Sequence, residues 1–210
     1  MYKVHYFGGY GAAEPIRLLL AHAKQPFENV DYTQESLAEA KKGDTLEFKQ
    51  LPVLEVEGKF YAQSHAILRL LGHKLNYYPT DHNQAFLVDS LLDSFKDFVA
   101  VYAKASWAQD EEEKKKLFAA FFETTFPNWC AVIEKRLIAN SSQKYIVGNS
   151  QTIGDFILCT FGFSMVFNEA NPGKAPLQEA IAKFPVFSAY LEAQREENKE
   201  YLSTRRVSPW

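Results

Sequence analysis

Cysteine is scarce in this 210-residue chain: Cys130 and Cys159 stand far apart, with no CxxC spacing. That excludes a disulfide framework and reads as the usage of a reducing compartment. Long apolar runs are missing too, and no stretch approaches the ~18 residues that cross a bilayer. The opening residues, Met1 to Phe7, hold no apolar segment of the length a secretory signal needs. A cytoplasmic location with no membrane partner is the expectation. Asn140-Ser141-Ser142 matches a glycosylation acceptor, but without a signal it would never meet that machinery. Neither sign of charge is in excess: 23 basic and 26 acidic residues leave a net −3, which does not point to nucleic acid. The one lysine run, Lys114 to Lys116, follows Glu111 to Glu113, placing opposite charges three apart on a solvated helix face.

What is abundant is core material: 47% of the residues are hydrophobic and 15% aromatic, so disorder is excluded and two small domains can be filled. Two periodicities divide the chain. Lys3 to Tyr6 alternates as a strand does and runs into Gly8-Gly9-Tyr10-Gly11; Pro15 then stands in a first helical turn, ahead of an apolar face of Ile16, Leu19, Leu20 and Ala23. A second strand is expected around 29–32. Val53 to Val56 and Lys59 to Ala62, joined by Glu57-Gly58, read as a hairpin. Ser64 follows as the expected N-cap of a helix carrying Ile67, Leu68, Leu71 and Leu75. The order is β-α-β, an irregular helical stretch, then β-β-α. Beyond a linker near Tyr78 to Asp81 the pattern turns helical: Leu87, Leu91, Phe95, Phe98 and Tyr102, then Leu117, Phe118, Phe121 and Phe122. Phe126-Pro127 is expected to kink or break the second long helix, Thr152 to Asp155 to open another as a capping-box variant, and Phe184-Pro185 to start a late one. The fold class is thus α/β over residues 1–78 followed by an all-α unit over 83–210.

Most familiar catalytic signatures are absent or incomplete. Gly9-Tyr10-Gly11-Ala12-Ala13-Glu14 opens like a dinucleotide fingerprint but has Glu14 where the third glycine belongs. His5, His22, His65, His73 and His82 form no metal-ligand pair with an acid, so no metal is expected. There is no nucleophile elbow and no phosphate loop.

Three short segments remain: Tyr6-Phe7 ending a strand, Gln50-Leu51-Pro52 entering one, and Gln63-Ser64 entering a helix. With Val4-His5-Tyr6-Phe7, Glu14-Pro15-Ile16-Arg17-Leu18-Leu19, Gln50-Leu51-Pro52-Val53 and Gln63-Ser64-His65-Ala66-Ile67-Leu68, the sequence resembles the tyrosine-type glutathione transferases of the alpha, mu, pi and sigma classes. Leu87-Val88-Asp89 with Asp93 and Asp97, and Thr152-Ile153-Gly154-Asp155-Phe156, extend the resemblance through nearly the whole chain.

The resemblance implies a thioredoxin-like first domain, a helical second domain and glutathione as co-substrate without a further cofactor. It assigns Tyr6 to the thiol, Leu51 and cis Pro52 to an added antiparallel strand, Ser64 with Gln63 and Gln50 to the γ-glutamyl group, and Asp97 of a second subunit to the α-amino group. Chemistry agrees with these roles. An X-Pro bond adopts cis at modest cost, leaving Leu51 free to pair with a ligand's backbone. A hydroxyl and free N–H groups at a helix start suit a carboxylate. One hydrogen bond to a charged sulfur supplies about 1.5–3 kcal/mol, against the ~2.7 kcal/mol needed to lower a thiol by two pKa units. Taken alone, Tyr6 at a strand end reads as a packing residue; only in combination with Pro52 and Ser64 at the family's spacing is it assigned to the thiol.

The chain also departs from the family pattern. Ala12 stands where pi and sigma classes carry an arginine near the thiolate, and Leu37 where a tryptophan clasps the glycine carboxylate. Lys42 is the expected partner of that carboxylate, a solvated surface lysine being the alternative. Phe48 falls where some classes insert an aromatic into the partner subunit, or else is a core residue. The electrophile pocket is expected at Phe7, Ala12, Trp107 and Trp210. The implied function is conjugation of glutathione to small hydrophobic electrophiles in detoxification, by a homodimer. Glutathione-dependent isomerisation of the prostaglandin D synthase kind, or a non-catalytic carrier resembling lens S-crystallins, are the rival readings.

Overall fold

The computed structural model describes residues 1–142 and 144–209. Four strands form a mixed sheet in the order β2-β1-β3-β4. β1 (Tyr2–Phe7) runs through the loop 8–13 into α1 (Glu14–His22), and β2 (Phe27–Tyr32) returns parallel to β1 with Tyr6 opposite Asp31. The irregular stretch resolves into α2 (Gln34–Ala40) and a loop to Pro52. Thr33 caps α2 in a reciprocal box with Ser36. β3 (Val53–Val56) pairs antiparallel with β1, and β4 (Lys59–Ala62) antiparallel with β3. Glu57 and Gly58 both sit at positive φ, 52° and 76°, the geometry that matches a two-residue turn to the twist of a hairpin.

α3 (Ser64–Leu75) corrects one expectation. Ser64 is the first helical residue and not the cap; Gln63 takes the capping place at φ 71°, ψ 107°, and makes no side-chain capping bond. The hydroxyl and N–H of Ser64 are therefore left at the open end of the helix.

The second half is helical: α4 (His82–Ser106), α5 (Glu111–Ala120), α6 (Phe126–Ala139), α7 (Ile153–Phe161), α8 (Lys174–Ile181), α9 (Pro185–Glu197) and α10 (Lys199–Thr204). Wide π-type turns at Phe121–Thr125 and Gly162–Val166 connect α5 to α6 and extend α7. The first lies just ahead of Pro127, whose ring nitrogen has no hydrogen to donate, and Phe126 N–H reaches back to Phe121 O instead. Asp110 caps α5, and Lys114 and Lys115 pair with Glu111 and Glu112 as their spacing anticipates. Asn140, in the glycosylation-like triplet, is occupied structurally: its amide donates to Ser142, Tyr145 O and Gly148 O.

One continuous core joins the two halves. α1 was expected to bury a single face, yet everything from Glu14 to Leu20 is buried, because α7, α3 and α10 all pack against it. On α4 the buried stripe is Val88, Leu91, Leu92, Phe95 and Phe98; Leu87 is exposed, one position out of phase with it. Phe98, Phe121, Phe126, Trp129, Phe161 and Phe187 fill the helical half, ring centroids 4.4–6.2 Å apart. Cys130 and Cys159 are free thiols in this packing, and burial pushes both well up. A smaller cluster of Leu37, Leu46 and Val53 sits under α2. No described helix is long and apolar enough to cross a membrane.

Candidate functional site

The sheet register assembles the site. His5 pairs with Val53, and Val53 with Ala62, making one row across three strands. Because β3 runs against both neighbours, the residues one step beyond that row at the same end are Tyr6, Pro52 and Gln63. Adjacent strands lie about 4.8 Å apart, so the three positions span roughly 10 Å, the reach of an extended tripeptide. β1 and the β3–β4 hairpin, more than forty residues apart in sequence, thus meet at one end of the sheet. The Leu51–Pro52 peptide there is cis. Gln63 and Gln50 are exposed, Leu51 and Ser64 partly so.

Tyr6 is half-buried, and its ring stands edge-on to Phe7 at 5.6 Å. Its hydroxyl oxygen accepts a hydrogen bond from the backbone N–H of Ala12 at 3.2 Å, in a setting that solvent reaches. That contact uses an oxygen lone pair and leaves the phenolic hydrogen to donate elsewhere. Ala12 is exposed, so where the family pattern has a cationic side chain this chain offers a main-chain donor. Gly11, at φ 42°, makes the approach possible: a Cβ there would lie 2.8 Å from Cε1 and 2.9 Å from Cζ of Tyr6, and closer still to its hydroxyl.

Arg17 lies behind the phenol, with its guanidinium carbon 5.9 Å from the ring centroid. It is buried and held by Asn29 Oδ1 at 2.7 Å, Gly9 O at 2.8 Å, Tyr10 O at 3.3 Å and Glu14 at 3.4 Å. Its Nη2 is buried without a hydrogen-bond partner among the described residues. Glu14, almost completely buried, also accepts from Tyr201 at 3.0 Å and Arg205 at 2.9 Å. Burial, and then the charge of Glu14, push the Tyr201 phenol far up.

The other expected residues are more scattered. Phe7 is half-buried and packs in part on the small cluster beneath α2. Trp107, at the end of α4, is 77% exposed. Lys42 is exposed and pairs with Glu39 at 2.6 Å. Asp97 is exposed on α4. Phe48 is 53% exposed, which rules out the internal-core alternative for it. Trp210 lies outside the described residues. Gly11, Glu14, Arg17 and the main chain of Ala12 carry contacts that motif reading had not assigned. The glycine density of 8–11 was the available signal, since clustered glycine marks close backbone approach. A separate cleft of about 1070 Å³ is lined by Glu14, Arg17, Asn29, Glu197 and Arg205; none of Tyr6, Pro52, Gln63 and Ser64 lines it. Among the described residues no group of three His, Cys, Asp or Glu is placed to hold a metal ion.

Two domain families match the chain: the glutathione S-transferase N-terminal domain over residues 2–72 and the glutathione S-transferase C-terminal domain over residues 96–205. The chain is 31% identical to probable glutathione S-transferase 7 of Caenorhabditis elegans, an alignment covering 100% of this chain and 98% of that one. Among solved structures, a monomeric glutathione S-transferase from the hookworm Necator americanus superposes with a TM-score of 0.86 at 30% identity, covering 100% and 99% of the two chains. The prostaglandin synthase D of Nilaparvata lugens superposes with a TM-score of 0.83 at 26% identity, covering 99% and 100%.

Proposed function

The chain belongs to the glutathione S-transferase family, and we propose that it binds glutathione along the sheet end carrying Tyr6 and conjugates the thiolate to small hydrophobic electrophiles. The carrying observation is the phenol of Tyr6, open to solvent, its oxygen already bonded by Ala12 N–H and its hydrogen free. A sulfur within about 3.3 Å of that oxygen would receive the hydrogen. A free thiol titrates near pH 8.5, and one charge-assisted bond of about 2–3 kcal/mol lowers that by up to two units. The Ala12 N–H bond polarises the phenol and makes it the stronger donor.

The remaining groups hold the tripeptide. Leu51 presents its main chain to the cysteinyl residue, as a sheet edge does to an added strand. Ser64, first in a twelve-residue helix, offers its hydroxyl and N–H at the positive end of the dipole to the γ-glutamyl carboxylate, and Gln63 and Gln50 add neutral donors. Asp97 of a second subunit would answer the α-amino group, and Lys42, freed from Glu39, the glycine carboxylate. Residues 1–78 form the glutathione unit, and residues 83–210 supply Trp107 and Trp210 to an electrophile site completed by Phe7 and Ala12. Proximity of the two reactants then supplies much of the rate. The enzyme acts as a cytoplasmic homodimer in detoxification, without a further cofactor.

Tyr6→Phe tests the assignment. Turnover of 1-chloro-2,4-dinitrobenzene should fall by roughly 30-fold to 100-fold, the rate equivalent of about 2–3 kcal/mol, with glutathione affinity nearly unchanged. Parental turnover in that variant would remove Tyr6 from the chemistry. The likeness to a prostaglandin synthase D favours one second reading at the same site, isomerisation of a prostaglandin endoperoxide. Product analysis with that substrate separates it from conjugation.

A further inference from the structure

We infer that the C-terminal segment 205–208 is a strap that positions Tyr6 for thiolate stabilisation, acting through the glycine loop 8–11 with Tyr10 as its point of contact. The inference rests on the catalytic reading of Tyr6 given above.

The segment 8–11, which leads directly into Ala12 N–H, has glycine at three of its four positions, Gly8, Gly9 and Gly11. Such a segment loses more conformational entropy on ordering than any other and holds one shape only if it is tethered. Its requirement for one shape is strict, because the Ala12 N–H to Tyr6 bond, at 3.2 Å, already lies at the long end of the useful range. A shift of about half an ångström would break it.

Two tethers are visible. Arg17 Nη1 holds the carbonyls of Gly9 and Tyr10 from within. The other comes from residues nearly two hundred positions away. The Tyr10 hydroxyl donates to Arg206 O at 2.8 Å and accepts from Ser208 N–H at 3.2 Å. The Arg205 guanidinium lies over the Tyr10 ring at 4.1 Å and pairs with Glu14 at 2.9 Å.

The strap is anchored at both ends. On the helical side, Arg205 Nη2 donates to Phe163 O at 2.7 Å, and Asn168 donates to Ser208 O at 2.9 Å. On the sheet side, Arg206 pairs with Asp31 at 2.7 Å, and Asp31 is the strand neighbour of Tyr6. Ser208 is buried while Val207 is 86% exposed, as in a segment docked by alternate residues. The helical half thereby grips the loop that gives Tyr6 its only described donor contact, on both flanks of that residue. Tyr10 and Arg205 are positioning residues: neither needs to touch glutathione.

The test uses the full-length chain with glutathione, reading the thiolate of the bound tripeptide by ultraviolet absorbance across a pH series, beside kcat and KM. Tyr10→Phe keeps the ring and removes only the hydroxyl. It should lower kcat about fivefold to tenfold and raise the bound thiol's pKa by about half a unit or more, with glutathione KM within about twofold. Arg205→Met should act in the same direction, and Arg205→Lys, which keeps the charge for Glu14 and Tyr10, should recover most of the loss. Parental kcat and thiol pKa in Tyr10→Phe and Arg205→Met, even with a lowered melting temperature, would reduce the strap to a packing role and overturn the inference. Tyr6→Phe run alongside separates the two failures. An unmoved thiol pKa in Tyr6→Phe overturns the catalytic reading and the strap together, whereas a shift there with none in the strap variants overturns the strap alone.

Discussion

A methyl group at position 11 would collide with the phenol beside it, because the backbone there sits at φ 42° with the Tyr6 ring carbons inside 3 Å of any Cβ. Gly11→Ala must either push Tyr6 away or move the loop, and in both cases the Ala12 N–H loses its acceptor. Conjugating activity is expected to fall at least tenfold while the melting temperature drops by only a few degrees, since strain at one surface loop costs about 1 kcal/mol. Activity within twofold of the parent would mean that the close approach of loop and phenol plays no part in turnover. Ala12 illustrates the same economy of side chains: the residue type matters less than its amide, which a family pattern defined on side chains does not see.

Among the elements, the start of α7 is the most heavily invested in polar contacts. Asp155 is completely buried and accepts from Thr152 N–H, Thr152 Oγ1, Ile146 N–H and Tyr190 Oη, all within 2.7–2.9 Å. It thereby caps α7, ties down the preceding loop and links α9 to both. Asp155→Ala would leave three or four buried donors without an acceptor, at an expected cost of about 3 kcal/mol or more. Urea unfolding monitored by helical circular dichroism measures this, and a loss below about 1 kcal/mol would show that the network relaxes onto water. The N-terminus of α3 follows a different rule, having no side-chain cap of its own; that leaves Ser64 available to a ligand.

Across the whole molecule, α1 is the shared wall of the two halves, and His22 at its end meets Tyr77 at 2.8 Å and the ring of Phe156. Burial lowers the pKa of His22, and burial with the nearby Arg69 lowers that of His65. Each is held neutral in the folded chain more strongly than in the unfolded one. The stability they contribute is complete above the ordinary histidine value of about 6.5 and is lost as pH falls through that value toward the lower folded pKa. The urea midpoint should therefore be level from about pH 8 to 7 and decline between about pH 6.5 and 5.5, where most carboxylates are still ionised; His22→Gln should flatten the decline. A midpoint that rises over that window would reverse the assigned direction. Assembly is the other question at this scale, because one close structural relative is described as monomeric. Sedimentation should give two copies of the 24.0 kDa chain. A fully active monomer would remove Asp97 from the glutathione site.

The sequence by itself determined the order of elements, the hairpin turn at Glu57-Gly58, the capping box at Thr152 and the irregular helical turn ahead of Pro127, where the helix widens but does not break. Each of these is set within a few residues by backbone chemistry that no distant contact has to supply. It also carried Tyr6, Pro52 and Ser64 as a spaced set, legible through family resemblance. Only the tertiary structure decided that these three gather at one end of the sheet, because the strand register brings together residues nearly sixty positions apart and register is a property of the sheet. The same holds for the all-round burial of α1, for the positive φ that displaced Ser64 from the cap to the first helical turn, and for the tail laid across Tyr10. In each case the governing contact lies between segments whose local sequence is equally compatible with solvent on that side.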